Sequence, residues 1–154
     1  MKNATKLISM VAILIVSLVI AQTAATREMD LRKMMGSNFG FVQKILSDLI
    51  RSDFTQVPKD VMIIEQHSFD LIKTPPKNIG ADKQVFLALA DSLQLHAKNL
   101  RVVAAMVIEH DKQQVSPDKL NIDYLRNTAA AHYGQMVTTC VACHNLFRRA
   151  IPVK

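Results

Sequence analysis

Residues 125–147, LRNTAAAHYGQMVTTCVACHNLF, decide the fold of this chain. Apolar residues recur in this segment at steps of three or four, a spacing that predicts one face of a long helix. The residues predicted to lie on its inner face are Leu125, Ala129, His132, Met136, Cys140, Cys143 and Phe147. The alternation of apolar and polar residues that is typical of a strand is absent here and elsewhere in the chain.

Three further amphipathic stretches precede this helix. The first runs roughly from Met29 to Arg51, and the second begins at Pro58 and stops before Thr74-Pro75-Pro76. The third follows Asp82, a residue suited to cap it, and ends near His110. Four helices of similar length joined by short loops predict an all-α, antiparallel four-helix bundle.

The fourth helix contains Cys140-Val141-Ala142-Cys143-His144, a Cys-x-x-Cys-His pattern typical of c-type haem attachment. Two thiols at this spacing can add across the two vinyl groups of a porphyrin, and the imidazole of His144 can bind the iron as an axial ligand. The helical repeat of about 100° per residue brings all three side chains to one side. The sequence therefore predicts one covalently attached haem c, with its iron, on the C-terminal helix.

Other uses of a Cys-x-x-Cys pair remain open at this point. A thiol–disulfide redox pair usually lies in a βαβ context, which the pattern does not indicate. A tetrahedral zinc site needs further soft ligands, and these two are the only cysteines of the chain. A chance occurrence is the third alternative.

Residues 1–26 are typical of an export signal. Lys2 and Lys6 give a positive start, Leu7 to Ala21 is an almost unbroken apolar run, and small residues predict cleavage after Ala21 to Ala25. The alternative is an uncleaved membrane anchor, although the run is short for a transmembrane helix. Because c-type haem attachment is generally completed outside the bacterial cytoplasm, we expect a periplasmic protein whose mature domain, residues 27–154, has no membrane span.

The formal net charge of +6 includes Lys2 and Lys6. Without the signal, and with two haem propionates added, the remaining charge is too small to indicate nucleic-acid binding, and basic runs with interleaved aromatic residues are absent. A modest basic face could guide an acidic redox partner, or it could simply be a solvated surface.

The chain resembles the class II cytochromes c, a family that includes the cytochromes c prime. Tyr133-Gly134 before the motif and Asn145-Leu146-Phe147-Arg148 after it resemble the family's last helix. Met35, Gly40 and the segment 42–46 are similar to its first helix. Two features depart from the family pattern: the connection between helices two and three is short, and Leu31 stands where an Arg is usual.

The resemblance implies an exported monohaem cytochrome, not an enzyme, that carries single electrons between redox partner proteins and that could form a homodimer. It also implies Met35 as the sixth iron ligand opposite His144. Met35 lies on the apolar stripe of the first helix beside Gly36, and Gly36 and Gly40 would leave room for a porphyrin or for close helix packing. Alternatively Met35 fills the core, another residue binds the iron, or the iron is five-coordinate and binds NO or CO.

The remaining histidines have less specific predictions. His132 falls on the inner face of the fourth helix, where it suits a core or boundary position near the haem edge. His96 lies beside the apolar face of the third helix and is a less favoured candidate for the iron. His67 and His110 map to polar sides of their helices and are predicted to be solvated.

Overall fold

Four α-helices form the secondary structure of the residues that the computed structural model describes, which are 31–76, 79, 82–112 and 119–147. They are α1 (Leu31–Ile50), α2 (Val57–Lys73), α3 (Lys83–Lys112) and α4 (Lys119–Phe147). These ranges contain no strand. The prediction of an all-α four-helix fold is therefore confirmed.

A tight backbone turn ends α1. The Ser52 N–H donates to the Leu49 carbonyl at 3.1 Å, and the Asp53 N–H donates to the Asp48 carbonyl at 2.9 Å. These are the two bonds of a Schellman motif. Ser52 has a φ of 55°, in the left-handed region that favours glycine, so this turn carries some backbone strain.

Proline and polar residues set the bounds of α2 and α3. Pro58 lies in the first turn of α2, where its missing N–H costs little. The helix ends at Lys73, directly before the Thr74-Pro75-Pro76 segment that predicts its end. Helix α3 begins directly after Asp82, as its sequence predicts.

Side-chain contacts show that α1 and α2 run in opposite directions. Asn38 of α1 contacts His67 of α2, whereas Lys44, further along α1, contacts Asp60 near the start of α2. The Lys44 Nζ lies 2.8 Å from a carboxylate oxygen of Asp60, whose side chain is only 5% exposed. A carboxylate this deeply buried needs such a partner, because desolvation without one is costly.

Helices α3 and α4 also run in opposite directions along a long shared interface. Residues further along α3 meet residues earlier in α4, in the pairs Phe86–Phe147, Ser92–Thr139, His96–His132 and Asp111–Arg126. Helix α2 also packs on α3, where the Arg101 Nε donates to a Glu65 carboxylate oxygen at 2.7 Å. Helix α1 packs mainly on α2 and meets α4 over a small area.

The apolar core lies between the four helices. All four contribute to one cluster of buried residues, which includes Ile45 of α1, Ile64 of α2, Leu100 of α3 and Met136 of α4. Tyr133 and Cys140 pack against the edge of this cluster. Cys140 therefore places one thiol of the motif directly beside the core.

The described helices belong to one compact unit. The predicted export signal, residues 1–26, lies outside the described residues. No helix in the described part of the chain is both long and apolar enough to span a membrane.

A candidate haem-attachment site

The Cys-x-x-Cys-His motif lies in the last two turns of α4. Cys140 is half-buried against the core, Cys143 is also half-buried, and His144 is exposed. Both cysteines are free thiols. The motif therefore crosses from the core edge to the surface of the helix over one turn.

Burial keeps both thiols protonated at neutral pH. It raises the pKa of Cys140 to about 11, with a smaller contribution from the nearby Cys143 thiol. Burial also raises the pKa of Cys143. The thiols lie near the C-terminal end of α4, where the partial negative charge of the helix dipole disfavours a thiolate further.

This environment argues against a thiol–disulfide catalyst. Reactive cysteines have a lowered pKa and lie near cations or at the N-terminal end of a helix. Cys140 and Cys143 have the opposite surroundings, and no strand flanks them within the described residues. Zinc binding by Cys140 and Cys143 is also disfavoured, because it requires thiolates and burial raises the pKa of both thiols.

An aromatic pair fixes the end of α4 that carries the motif. The rings of Phe86 and Phe147 meet edge to face, with centroids 5.2 Å apart and an angle of 86° between their planes. Phe86 is completely buried, and Phe147 comes three residues after His144. Because helix ends fray unless something holds them, this contact stabilises the turn that presents the imidazole.

The two neighbouring methionines of α1 have different surroundings. Met34 is buried, with 6% of its surface exposed, whereas Met35 is half-buried. The sequence pattern places Met35 on the inward stripe, but the core takes up Met34 instead. The inward face of α1 is therefore centred about one residue earlier than the stripe predicts at this end of the helix.

The glycines of α1 lie beside open space. No heavy atom outside the local backbone comes within 4 Å of a Cβ built on Gly36 or Gly40. Close packing against another described helix therefore does not explain either glycine. Both glycines are exposed, so the open space beside them is solvent at the surface of α1.

Tyr133 provides the polar contact between α4 and α1. Its hydroxyl donates to the Val42 carbonyl at 3.2 Å. Burial raises the pKa of Tyr133, as does the nearby Cys140, so the phenol stays protonated and can donate. The Tyr-Gly step that carries the family resemblance thus holds α1 in place two turns before Cys140.

Two histidine contacts were not predicted from the sequence. His67, predicted to be solvated, is half-buried, and its Nδ1 lies 2.6 Å from the Asn38 side-chain oxygen. Burial lowers the pKa of His67, so the neutral ring donates to Asn38. An Asn on the inward stripe was the signal for this bond, because a buried amide needs a partner. His96 and His132 face each other across α3 and α4.

No protein-family model, characterised protein or solved structure matches this chain.

Proposed function

We propose that this chain is an exported monohaem c-type cytochrome that carries single electrons between redox partners. Cys140 and Cys143 would bind the haem through thioether bonds, His144 would bind the iron on one side, and Met35 would bind it on the other. The proposal combines the Cys-x-x-Cys-His pattern with the surroundings that the fold gives these four residues.

The state of the three motif side chains is the observation that carries the proposal. The thiols of Cys140 and Cys143 are unpaired, half-buried and protonated. His144 is exposed and makes no hydrogen bond or ion pair with any described residue. These three groups fit a covalently attached haem, because each has its reacting atom unused and they share one end of a helix at the core edge.

The relation between α1 and α4 supports Met35 as the sixth ligand. In the antiparallel bundle that we propose, α1 and α4 run in opposite directions. Tyr133 bonds to Val42, Met35 lies seven residues before Val42, and Cys140 lies seven residues after Tyr133. Two helical turns on each side bring Met35 and Cys140 to about the same level of the bundle.

The surroundings of the two methionines favour Met35 over Met34 for this role. Met34 already fills the core, as methionines on apolar stripes commonly do. Met35 is half-buried, so part of its side chain is not enclosed by the protein. Its thioether is therefore the one that the packing of the protein leaves available.

The haem would supply an iron that gains and loses one electron. His144 and Met35 would retain their bonds in both oxidation states, and thioether ligation favours the ferrous state and raises the potential. Cys140 and Cys143 would fix the orientation of the porphyrin, and the Phe86–Phe147 contact would hold the turn that carries His144. The apolar core beside Cys140 would exclude water from that side.

We also propose a periplasmic location and a redox protein as partner. The net charge of +6, part of which belongs to the proposed export signal, would favour encounter with an acidic partner surface. A homodimer stays a possibility that the family resemblance raises. Nucleic-acid binding and enzymatic activity have no part in this proposal.

Optical spectra of the purified protein, ferric and ferrous, with and without CO, test the proposal. Because Leu and Met have similar volumes, Met35→Leu and Met34→Leu form a matched pair that removes one thioether each with little effect on packing. We expect low-spin spectra that do not respond to CO in the wild type and in Met34→Leu. We expect Met35→Leu to become high-spin in the ferric state and to bind CO when reduced.

Two outcomes would change the conclusion. A wild type that is high-spin and binds CO at once would favour a five-coordinate cytochrome c prime-like protein that binds NO or CO, and Met35 would lose its role. A colourless protein, expressed together with a haem-attachment apparatus, would contradict both functions.

A further inference from the structure

Two imidazoles face each other across the interface of α3 and α4, away from the Cys-x-x-Cys-His motif. The Nδ1 atoms of His96 and His132 lie 3.5 Å apart, and the ring centroids lie 5.8 Å apart with 39° between the ring planes. Both residues are half-buried. His132 precedes Cys140 by eight residues, which is about 12 Å along the helix.

The separation of the two nitrogens is informative. An N–H donor and its acceptor usually lie about 2.9–3.0 Å apart, so 3.5 Å is long for a hydrogen bond between the rings. Zinc binds imidazole nitrogen at about 2.0–2.1 Å, and a tetrahedral angle then separates two such nitrogens by about 3.3–3.4 Å. The observed distance agrees with two ligands of one tetrahedral ion better than with a direct hydrogen bond.

The same geometry distinguishes between metals. Two neighbouring nitrogens in a square-planar Cu²⁺ site would lie only about 2.8–2.9 Å apart, which would require the rings to move closer. Tetrahedral Zn²⁺ requires a shift of only a few tenths of an ångström, which side-chain rotation can supply.

The support of the two rings also suits a metal ion. Each ring is carried by a long helix, and one turn before His96 the Ser92 and Thr139 hydroxyls meet at 3.3 Å across the same interface. A site built between two packed helices is well ordered before the ion binds.

We propose that His96 and His132 form a zinc-binding site that joins α3 to α4. No third His, Cys, Asp or Glu side chain completes the site among the described residues, so water or a small anion fills the remaining positions. Bound zinc stabilises the native interface that presents the haem motif. This proposal does not depend on the haem, because neither imidazole belongs to the motif.

Calorimetric titration of Zn²⁺ into the purified protein tests the site. The variants are His96→Asn and His132→Asn, and the matched control is His110→Asn, whose imidazole lies elsewhere on α3 near Asp111. We expect the wild type and the control to bind one equivalent of zinc, and we expect each of the two variants to bind at least about tenfold more weakly. Equal binding by the wild type and both variants would overturn the proposal, as would zinc binding that disappears only in Cys143→Ser.

A second measurement does not depend on the folding of the variants. Since an ion that binds only the native state raises the unfolding temperature, Zn²⁺ should raise the Tm of the wild type and EDTA should reverse the effect. An unchanged Tm in excess Zn²⁺ would mean that the two rings form only a long imidazole–imidazole contact, and the proposal would be wrong.

Discussion

Replacement of Phe86 by Ala should loosen the end of α4 that carries the motif. Phe86 is completely buried, and its ring meets the Phe147 ring with centroids 5.2 Å apart. A buried Phe→Ala substitution costs about 3–5 kcal/mol through lost burial and the cavity that remains, and the edge-to-face contact accounts for about 0.5–1.5 kcal/mol of this. Small domains are stable by about 5–15 kcal/mol, so we expect the free energy of unfolding to fall by about a fifth or more.

Urea unfolding followed by far-UV circular dichroism measures this loss, and hydrogen exchange of the backbone amides locates it. We expect exchange to accelerate most in residues 143–147. Phe39→Ala is the matched control, since Phe39 is 63% exposed and its loss should change stability by less than about 0.5 kcal/mol. The reasoning is refuted if the two variants lower the urea midpoint equally, or if exchange in residues 143–147 is unaffected by Phe86→Ala.

Three further substitutions test separate features of the fold and the site. Ser52→Gly should raise the free energy of unfolding by about 1 kcal/mol, since it relieves the positive φ of 55°, and a loss of stability on urea unfolding would contradict the assigned turn. Tyr133→Phe should lower the free energy of unfolding by about 1 kcal/mol through loss of the hydrogen bond to the Val42 carbonyl. An unchanged urea midpoint would mean that this bond does not contribute to stability. In protein produced without haem, the folded state raises the pKa of Cys140 from 9.0 to about 11, so this contribution to stability is complete below pH 9 and is lost as the pH rises toward 11. The loss should be about 2–3 kcal/mol and should be absent in Cys140→Ala; the same pH profile in both proteins would argue against the raised pKa.

The spacing of apolar residues and the residues that end or cap a helix were sufficient to predict the helices. Recurring apolar residues predicted all four, and the Thr74-Pro75-Pro76 segment and Asp82 marked the facing ends of α2 and α3. Where the residues on both sides of a helix end are described, the observed end differs from the predicted end by only one or two residues. Such signals are local, because they act through the backbone of the helix that contains them.

The surroundings of the site residues could not be predicted in the same way. The repeat of α1 predicted that Met35 lies on the inner face, but Met34 is the buried residue of the two, because burial depends on how the helices pack and not on one helix alone. The bond between Asn38 and His67 and the facing pair of His96 and His132 depend on which helices are neighbours. Which side chains of different helices meet depends on how the helices pack against each other, and the sequence pattern of one helix does not specify this.

The intact mass of the purified protein, expressed together with a haem-attachment apparatus, shows whether Cys140 and Cys143 bind a haem. We predict that the mass exceeds that of the polypeptide by one haem, that the haem stays attached after acid–acetone extraction, and that Cys143→Ser weakens this attachment. A polypeptide of unmodified mass with both thiols free would contradict the proposed haem attachment.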